Sequence, residues 1–276
     1  MRVAFVVSVL CLSGVSSALA QTACTPKIAP PVVIEAGKLT MSINPTLPPM
    51  QFVDASGELK GLNVDLGNEV AKRLCLKPEY VRIDFNAMVP GLQAKRWDLI
   101  NTGIFWTEER SKTMYLVNYG SQAVSVLTAP GNPLGIKVPE DLAGRSVAVE
   151  AGTYAERRLR QYSTEFTAKG AKAIDIRVFN TGAEGYQALQ AGQVETSMTI
   201  DTTAADLIKR TNFHWAMKGI GGAPIAFAAA QRPMAQAVAD ALNEIRKDGT
   251  YAKIFASYGF AELPEHTFAI NGPGPQ

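Results

Sequence analysis

Val89-Pro-Gly-Leu-Gln-Ala-Lys-Arg-Trp-Asp-Leu-Ile-Asn-Thr-Gly103 and Gly185-Tyr-Gln-Ala-Leu-Gln-Ala-Gly-Gln-Val-Glu-Thr-Ser-Met-Thr-Ile-Asp201 are rough copies of one another. Each carries Leu-Gln-Ala, then an acidic residue four positions after that alanine (Asp98, Glu195), then a short apolar strand. Two copies are too few for a solenoid, so the repeat indicates paired lobes. The first copy runs on to Arg110, and the second ends on Asp201. A guanidinium in one lobe facing a carboxylate in the other suits a zwitterion.

The flanking sequence supplies matching elements. Lys38–Ile43 and Gln51–Val53 read as strands around the Pro-rich turn 44–49. From Asn63 to Leu76 an amphipathic helix places Leu66, Val70, Ala71 and Leu74 on one face. A strand over Glu79–Ile83, a helix near Met88–Ala94 and a strand over Asp98–Asn101 follow. Tyr115–Thr128 is extended and crosses between the lobes. The second series comprises Ser146–Val149, a helix from Tyr154, a strand over Ile174–Phe179, a helix near Ala183–Ala191 and the strand ending at Asp201. Helices over Met234–Lys247 and Tyr251–Tyr258 close the chain. This alternation predicts α/β lobes with mostly parallel sheets.

Composition narrows the function. Residues 1–20 have a basic start at Arg2, an apolar run from Val3 to Val15 and a small-x-small ending at Ala20. They read as a signal peptide cleaved after Ala20, directing export to the periplasm. The net charge is +2; losing Arg2 leaves +1, dispersed along 256 residues. That excludes nucleic acid as the main partner. Cys24 and Cys75 remain in the exported chain, and the oxidising compartment predicts a disulfide between them. His214 and His266 are the only histidines and lie far apart, so neither a metal site nor a cofactor is expected.

Two positions carry the candidate chemistry. Thr107-Glu-Glu-Arg110 opens with a good N-cap followed by acids at the positive end of a helix dipole. Arg110 is either a surface residue paired with Glu108 or Glu109, or a bidentate receptor for a carboxylate. Asp201 either caps the helix over Thr202–Arg210 or faces a cleft and holds an ammonium. Both lie beyond the carboxyl ends of strands, where open α/β sheets bind ligands.

An ordered set of motifs runs through residues 37–260: Gly37-Lys-Leu-Thr, the spaced Pro48-Pro-x-x-Phe-Val-Asp-x-x-Gly-x-Leu-x-Gly-x-x-Val-Asp-Leu66, Asp84-Phe85, Leu92-Gln-Ala, Trp97-Asp-Leu, Thr107-Glu-Glu-Arg110 and Lys247-Asp-Gly-Thr-Tyr251. In that order they resemble the solute-binding proteins of polar amino-acid ABC transporters, the bacterial extracellular solute-binding family 3. The resemblance implies a two-lobed periplasmic-binding fold of type II with two hinge strands. The expected division is an extended leader 21–36, lobe 1 over 37–122 and 224–262, lobe 2 over 123–223, and a disordered tail 263–276. Arg110 matches the family's receptor for the ligand α-carboxylate and Asp201 the acid for the α-ammonium. Gly103 matches a backbone acceptor for that ammonium, Thr153 a second-lobe donor to the carboxylate, and Phe85 an aromatic wall. Thr107 belongs to the same ligand-binding set.

Three departures bear on the ligand. Phe105 stands where the family has Ser or Thr, Leu47 where an aromatic covers the ligand, and Asn44 where some members use an acid. With Trp106 at the mouth, they imply a more apolar pocket, suited to an apolar, aromatic or modified amino acid.

The resemblance implies a monomeric, non-enzymatic protein that closes on an amino-acid-like ligand and delivers it to an ABC permease in the inner membrane. Cyclohexadienyl dehydratases resemble these proteins, so an arogenate- or prephenate-processing enzyme is the alternative, with Glu150 or Glu184 as candidate acid. A sensory binding module is a third reading.

Overall fold

The structure, a computed structural model, describes residues 24–275. The expected signal peptide and its cleavage site lie outside them. The chain forms two lobes joined by a continuous, curled sheet, and it is built in the order expected of a two-lobed α/β fold.

In lobe 1, β1 (Lys38–Ile43) lies between β5 (Lys77–Arg82) and β6 (Leu99–Phe105), all parallel. Between β1 and β5 come a small three-stranded sheet, β2 (Thr46–Leu47), β3 (Gln51–Val53) and β4 (Leu59–Lys60), and helix α1 (Leu62–Arg73). Helix α2 (Phe85–Gln93) joins β5 to β6, and the short α3 (Glu108–Ser111) follows β6.

Lobe 2 repeats the pattern: β8 (Ser146–Glu150) lies between β9 (Asp175–Phe179) and β10 (Thr196–Ile200), again parallel. Its helices are α4 (Tyr154–Ala168), α5 (Gly182–Gln190) and α6 (Asp201–Arg210).

The repeated acids do the same work in both copies. Asp98, just before β6, accepts the N–H of Thr40 in the neighbouring β1 at 2.8 Å. Glu195, just before β10, accepts the N–H of Ser146 at the start of β8 at 2.8 Å. Each carboxylate therefore satisfies an orphan donor where a parallel pair begins. The sequence repeat is a repeat of strand-pairing chemistry.

Two long strands join the lobes. β7 (Tyr115–Thr128) and β11 (His214–Ala229) pair antiparallel along their length. In lobe 1, β11 lies against β6 through Ile225–Ala229; in lobe 2, β7 lies against β10 through Val124–Thr128. The change of partner falls between Gly120 and Val124 on β7. The β11 strand carries Gly219, Gly221, Gly222 and Pro224 and is bulged there. Such residues read as a loop in sequence, yet bulges tolerate them and they let the strand bend.

The remaining helices, α7 (Arg232–Lys247) and α8 (Thr250–Ser257), return to lobe 1. The α7 stripe Met234, Val238, Ala241, Leu242 and Ile245 is buried at helical spacing and packs on α1 and α8. Cys24 and Cys75 form a disulfide with Cα atoms 5.5 Å apart, tying the leader to the end of α1.

The tail departs from expectation. Residues 263–275 do not stand free: β12 (Ile270–Asn271) pairs antiparallel with Val117 and Leu116 of β7. Phe268 is buried beside Tyr251, with ring centres 5.1 Å apart. The Gly/Pro composition is that of a loop, but an apolar residue and an open sheet edge give the tail somewhere to dock. No helix among the described residues is long and apolar enough to cross a membrane.

Candidate functional site

A cavity of about 50 Å³ lies between the lobes, beneath the hinge. Phe85, Gly103, Phe105 and Leu47 line it from lobe 1; Glu150, Thr153, Tyr154, Tyr186, Thr199 and Ile200 line it from lobe 2. Gly103 sits in β6 with φ +68, a left-handed conformation that strains residues bearing a Cβ, and an added Cβ would meet the Tyr119 hydroxyl at 3.1 Å. Glycine here both permits the backbone turn and leaves the wall flat.

Contacts cross from lobe to lobe around this cavity. The Phe105 and Tyr154 rings stack at 4.5 Å, 5° from parallel. Arg110 donates to Phe105 O at 2.9 Å in its own lobe and to Gly152 O at 3.1 Å across the cleft. Glu109 on α3 pairs with Arg157 on α4 at 2.6 Å. Asn44 donates to the Glu150 carboxylate at 3.0 Å. The lobes are thus closed on one another.

The expected jaws are placed differently from one another. Arg110 pairs with neither Glu108, which is taken by Lys112, nor Glu109. Its guanidinium lies 5.6 Å from the Phe85 ring centre in a neighbouring cleft that shares Thr153 with the cavity. Burial, then the nearby Arg157 charge, lowers it to about 10, so it stays charged at neutral pH. Thr107 does not reach the cavity; its hydroxyl caps α3 by accepting the Arg110 N–H.

Asp201 is not on the cavity wall. Its carboxylate accepts from the Ser125 hydroxyl at 2.5 Å and from Gly219 N–H at 3.4 Å, at the two hinge strands. Ile200, one residue earlier, occupies the lining position at the end of β10. Asp201 instead opens α6, where its carboxylate is turned to the two hinge strands. The repeat led to the end of β10, where Ile200 and not Asp201 lines the cavity.

Thr153 lines the cavity, but its hydroxyl is engaged locally: it donates to Glu150 O at 2.7 Å and accepts the Glu156 N–H as the N-cap of α4. The Gly152 N–H meets the Glu156 carboxylate at 2.6 Å, so this helix start carries its own anion. Trp106 is not at the mouth; its indole N–H donates to Asn271 O at 3.1 Å in the docked tail.

The charged group on the cavity wall is Glu150, which sequence reasoning offered only as a candidate acid of the enzymatic alternative. It ends β8, is 6% exposed and lines the cavity. Burial raises its carboxyl to about 7, with Asp84 and Glu184 adding to the rise and the Asn44 bond opposing it. Glu184, the other candidate acid, is occupied in the capping box of α5 with Thr181. Behind Glu150 runs a buried chain of polar groups. Asn44 accepts from the Thr102 hydroxyl and from Gln51 at 3.2 Å; Gln51 accepts from Asn63 at 2.6 Å; Asn63 accepts from the Tyr119 hydroxyl at 2.5 Å. Such a network fixes the Asn44 amide in one orientation.

Comparison with known proteins agrees with this architecture. The L-cystine-binding protein TcyJ of Escherichia coli strain K12 is 29% identical over 223 residues, covering 79% of this chain and 81% of that protein. An ancestral arginine-binding protein bound to arginine superposes with a TM-score of 0.75 at 28% identity, covering 81% and 98% of the two chains. An ancestral amino acid-binding protein described as a precursor of cyclohexadienyl dehydratase superposes with a TM-score of 0.70 at 26% identity, covering 80% and 95%. The model of the bacterial extracellular solute-binding proteins, family 3, matches residues 39–261, and the chain belongs to that family.

Proposed function

We propose that the protein captures an amino acid, or an amino-acid-like zwitterion, between its lobes and delivers it to the permease of an ABC importer in the inner membrane. It acts as a periplasmic monomer after cleavage at Ala20. The observation that carries this reading is the cavity itself, enclosed by two lobes that meet through Arg110, Phe105 and Asn44. Bending of β7 and β11 opens it, and a ligand that touches both lobes favours the closed state. The amino-acid class is supported by the L-cystine-binding relative and the arginine-bound ancestral protein.

Arg110 is the group for the ligand carboxylate. The carboxylate takes over the donors that now reach Phe105 O and Gly152 O, a charge-assisted exchange contributing about 1.5–3 kcal/mol. Leu47, Phe85 and Phe105 give the side-chain end an apolar lining. A thermal-shift screen of amino acids, including cystine, tests the reading. A ligand at 100 times its Kd is expected to stabilise the protein by about 2.7 kcal/mol. No stabilisation by any amino acid would sink it.

One observation favours a second reading, a dehydratase on the same scaffold. A buried carboxyl raised to about 7, as at Glu150, suits a general acid near neutral pH. Against it, prephenate brings two carboxylates and no cation, whereas Arg110 can receive one carboxylate and the one charged group lining the cavity, among the described residues, is the Glu150 carboxylate. Passive capture is therefore the better-supported function, and phenylpyruvate release from prephenate is the result that reverses the order.

A further inference from the structure

Glu150 is, among the described residues, the only charged side chain that lines the cavity. Among the described residues its one side-chain hydrogen bond comes from Asn44 to Oε1, and none of them donates to Oε2. A buried carboxylate without a counter-charge is costly, and a cation brought by a ligand removes that cost. Asp201, by contrast, is not on the cavity wall, and its Oδ1 is held at the hinge by Ser125 and Gly219. We infer that Glu150 receives the ligand's ammonium or guanidinium group, and that its bond to Asn44 couples this capture to closure of the cleft. The inference deepens the capture function proposed above, by naming the residue that selects a cationic group.

The coupling follows from placement. Glu150 belongs to lobe 2 and Asn44 to lobe 1, where Thr102 and Gln51 hold the Asn44 amide with its N–H facing the carboxylate. An ionised Glu150 accepts this bond more strongly than a protonated one. A bound cation keeps it ionised and so tightens the bond across the cleft.

Capture is therefore linked to pH. The groups that face Glu150 are Asn44 from the segment after β1, Asp84 before α2, Tyr154 on α4, Glu184 and Tyr186 on α5, and Thr199 on β10. None is basic, and the two acids reinforce burial in raising Glu150. Below neutral pH a proton competes with the ligand cation for the carboxylate. For a carboxyl titrating near 7, affinity falls about 30-fold between pH 8 and pH 5.5.

The test uses the exported chain, residues 21–276, and calorimetric titration at pH 8 and pH 5.5. The probes are arginine, lysine, cystine and leucine, the amines agmatine and cadaverine, and deaminated 4-methyl-2-oxopentanoate. The strongest-binding probe is expected to carry a cation, to lose about 30-fold in affinity at pH 5.5, and to lose about 100-fold in Glu150→Gln together with its pH dependence. Glu150→Gln keeps an acceptor for Asn44 and removes a buried charge, so its unliganded unfolding midpoint at pH 8 reports that it is folded. If agmatine or cadaverine binds through Glu150 while the amino acids do not, this assignment stands and the amino-acid reading falls. Wild-type affinity in Glu150→Gln, a loss in Asp201→Asn with none in Glu150→Gln, tightest binding of the deaminated acid, or no binding by any probe overturns it.

Discussion

Phe105 of lobe 1 and Tyr154 of lobe 2 stack face to face, 4.5 Å between ring centres and 5° from parallel, across the cleft. The resemblance leads to the expectation of a hydroxyl residue at position 105; the phenylalanine there makes an apolar contact between the lobes. Tyr154 is fixed from behind, its hydroxyl donating to Gly221 O at 2.8 Å in the hinge strand. Aromatic pairs contribute about 0.5–1.5 kcal/mol beyond their buried area. Phe105→Ala is therefore expected to weaken ligand binding about two- to tenfold and to shift the ligand-bound protein towards the open form in small-angle scattering. Tyr154→Phe keeps the stack and should leave the scattering of the bound form unchanged.

Arg110 supplies the second closure. Its planar fork reaches Phe105 O and Gly152 O at once, which a lysine's single ammonium cannot do. Arg110→Lys is expected to lose about tenfold in affinity for an amino acid, and Arg110→Ala about ten- to a hundredfold. The amine analogue without a carboxylate should lose far less. Titration of each variant with arginine and with agmatine separates the two effects; equal losses for both probes would remove Arg110 as the carboxylate receptor.

These closures show how far the sequence could be read. The alternation of elements and the paired Leu-Gln-Ala units carried the two-lobed architecture, because strand-pairing chemistry at Asp98 and Glu195 is local and leaves a pattern. The hinge strand β11 was hidden, since Gly219, Gly221, Gly222 and Pro224 have the composition of a loop and only its partner β7 makes it a strand. At the site, Phe85, Gly103, Phe105, Leu47 and Thr153 come together on the cavity wall. Asp201 does not, because a carboxylate at a strand-to-helix junction has two local fates and Ser125, 76 residues away, decides between them. Glu150 was left as one of two candidate acids because its environment is assembled from Asn44, Asp84 and Glu184, each remote in sequence.

The raised Glu150 carboxyl also makes a stability prediction. The folded protein binds the proton up to about pH 7, whereas an unfolded glutamate releases it near pH 4.5. Between those values the native state holds more protons, so this group's contribution is full below pH 4.5 and is lost as pH rises to 7. Relative to Glu150→Gln, the wild-type protein without ligand is expected to lose on the order of 3 kcal/mol across that window. Urea unfolding of both proteins at pH 4.5, 6 and 8 measures it, and parallel pH curves would place Glu150 near an ordinary carboxylate.

The Cys24–Cys75 bond spans 51 residues of sequence and anchors the leader, which also places the Lys27 N–H on Leu74 O at 3.0 Å. Loop-closure entropy for that length gives an upper value of about 4 kcal/mol. Reduction, or Cys24→Ser with Cys75→Ser, should lower the unfolding midpoint substantially while leaving ligand affinity within about twofold, since the bond lies at the far end of α1. An unchanged midpoint under reductant would mean that the cross-link does not restrain the unfolded chain.

The docked tail is the last element with a measurable consequence. In lobe 1 the edge of the sheet is β7, and β12 covers it through Ile270 and Asn271. Asn271 also accepts the Trp106 indole N–H and, through its side chain, the Asn118 N–H. Phe268 is 5% exposed, packed by Tyr251 at 5.1 Å and by the Arg246 guanidinium at 4.7 Å, and its backbone is held at both ends by Asn243. Removing a buried aromatic side chain costs about 3–5 kcal/mol, with the lower end expected here because the site borders solvent and can relax. Phe268→Ala, and deletion of residues 266–276, are both expected to lower the urea midpoint. The deletion should in addition expose the β7 edge, whose unpaired backbone groups template association. Sedimentation of the deletion variant would then show concentration-dependent self-association absent from Phe268→Ala. A deletion variant as stable as the full chain and no more self-associating would mean that the tail adds nothing to lobe 1.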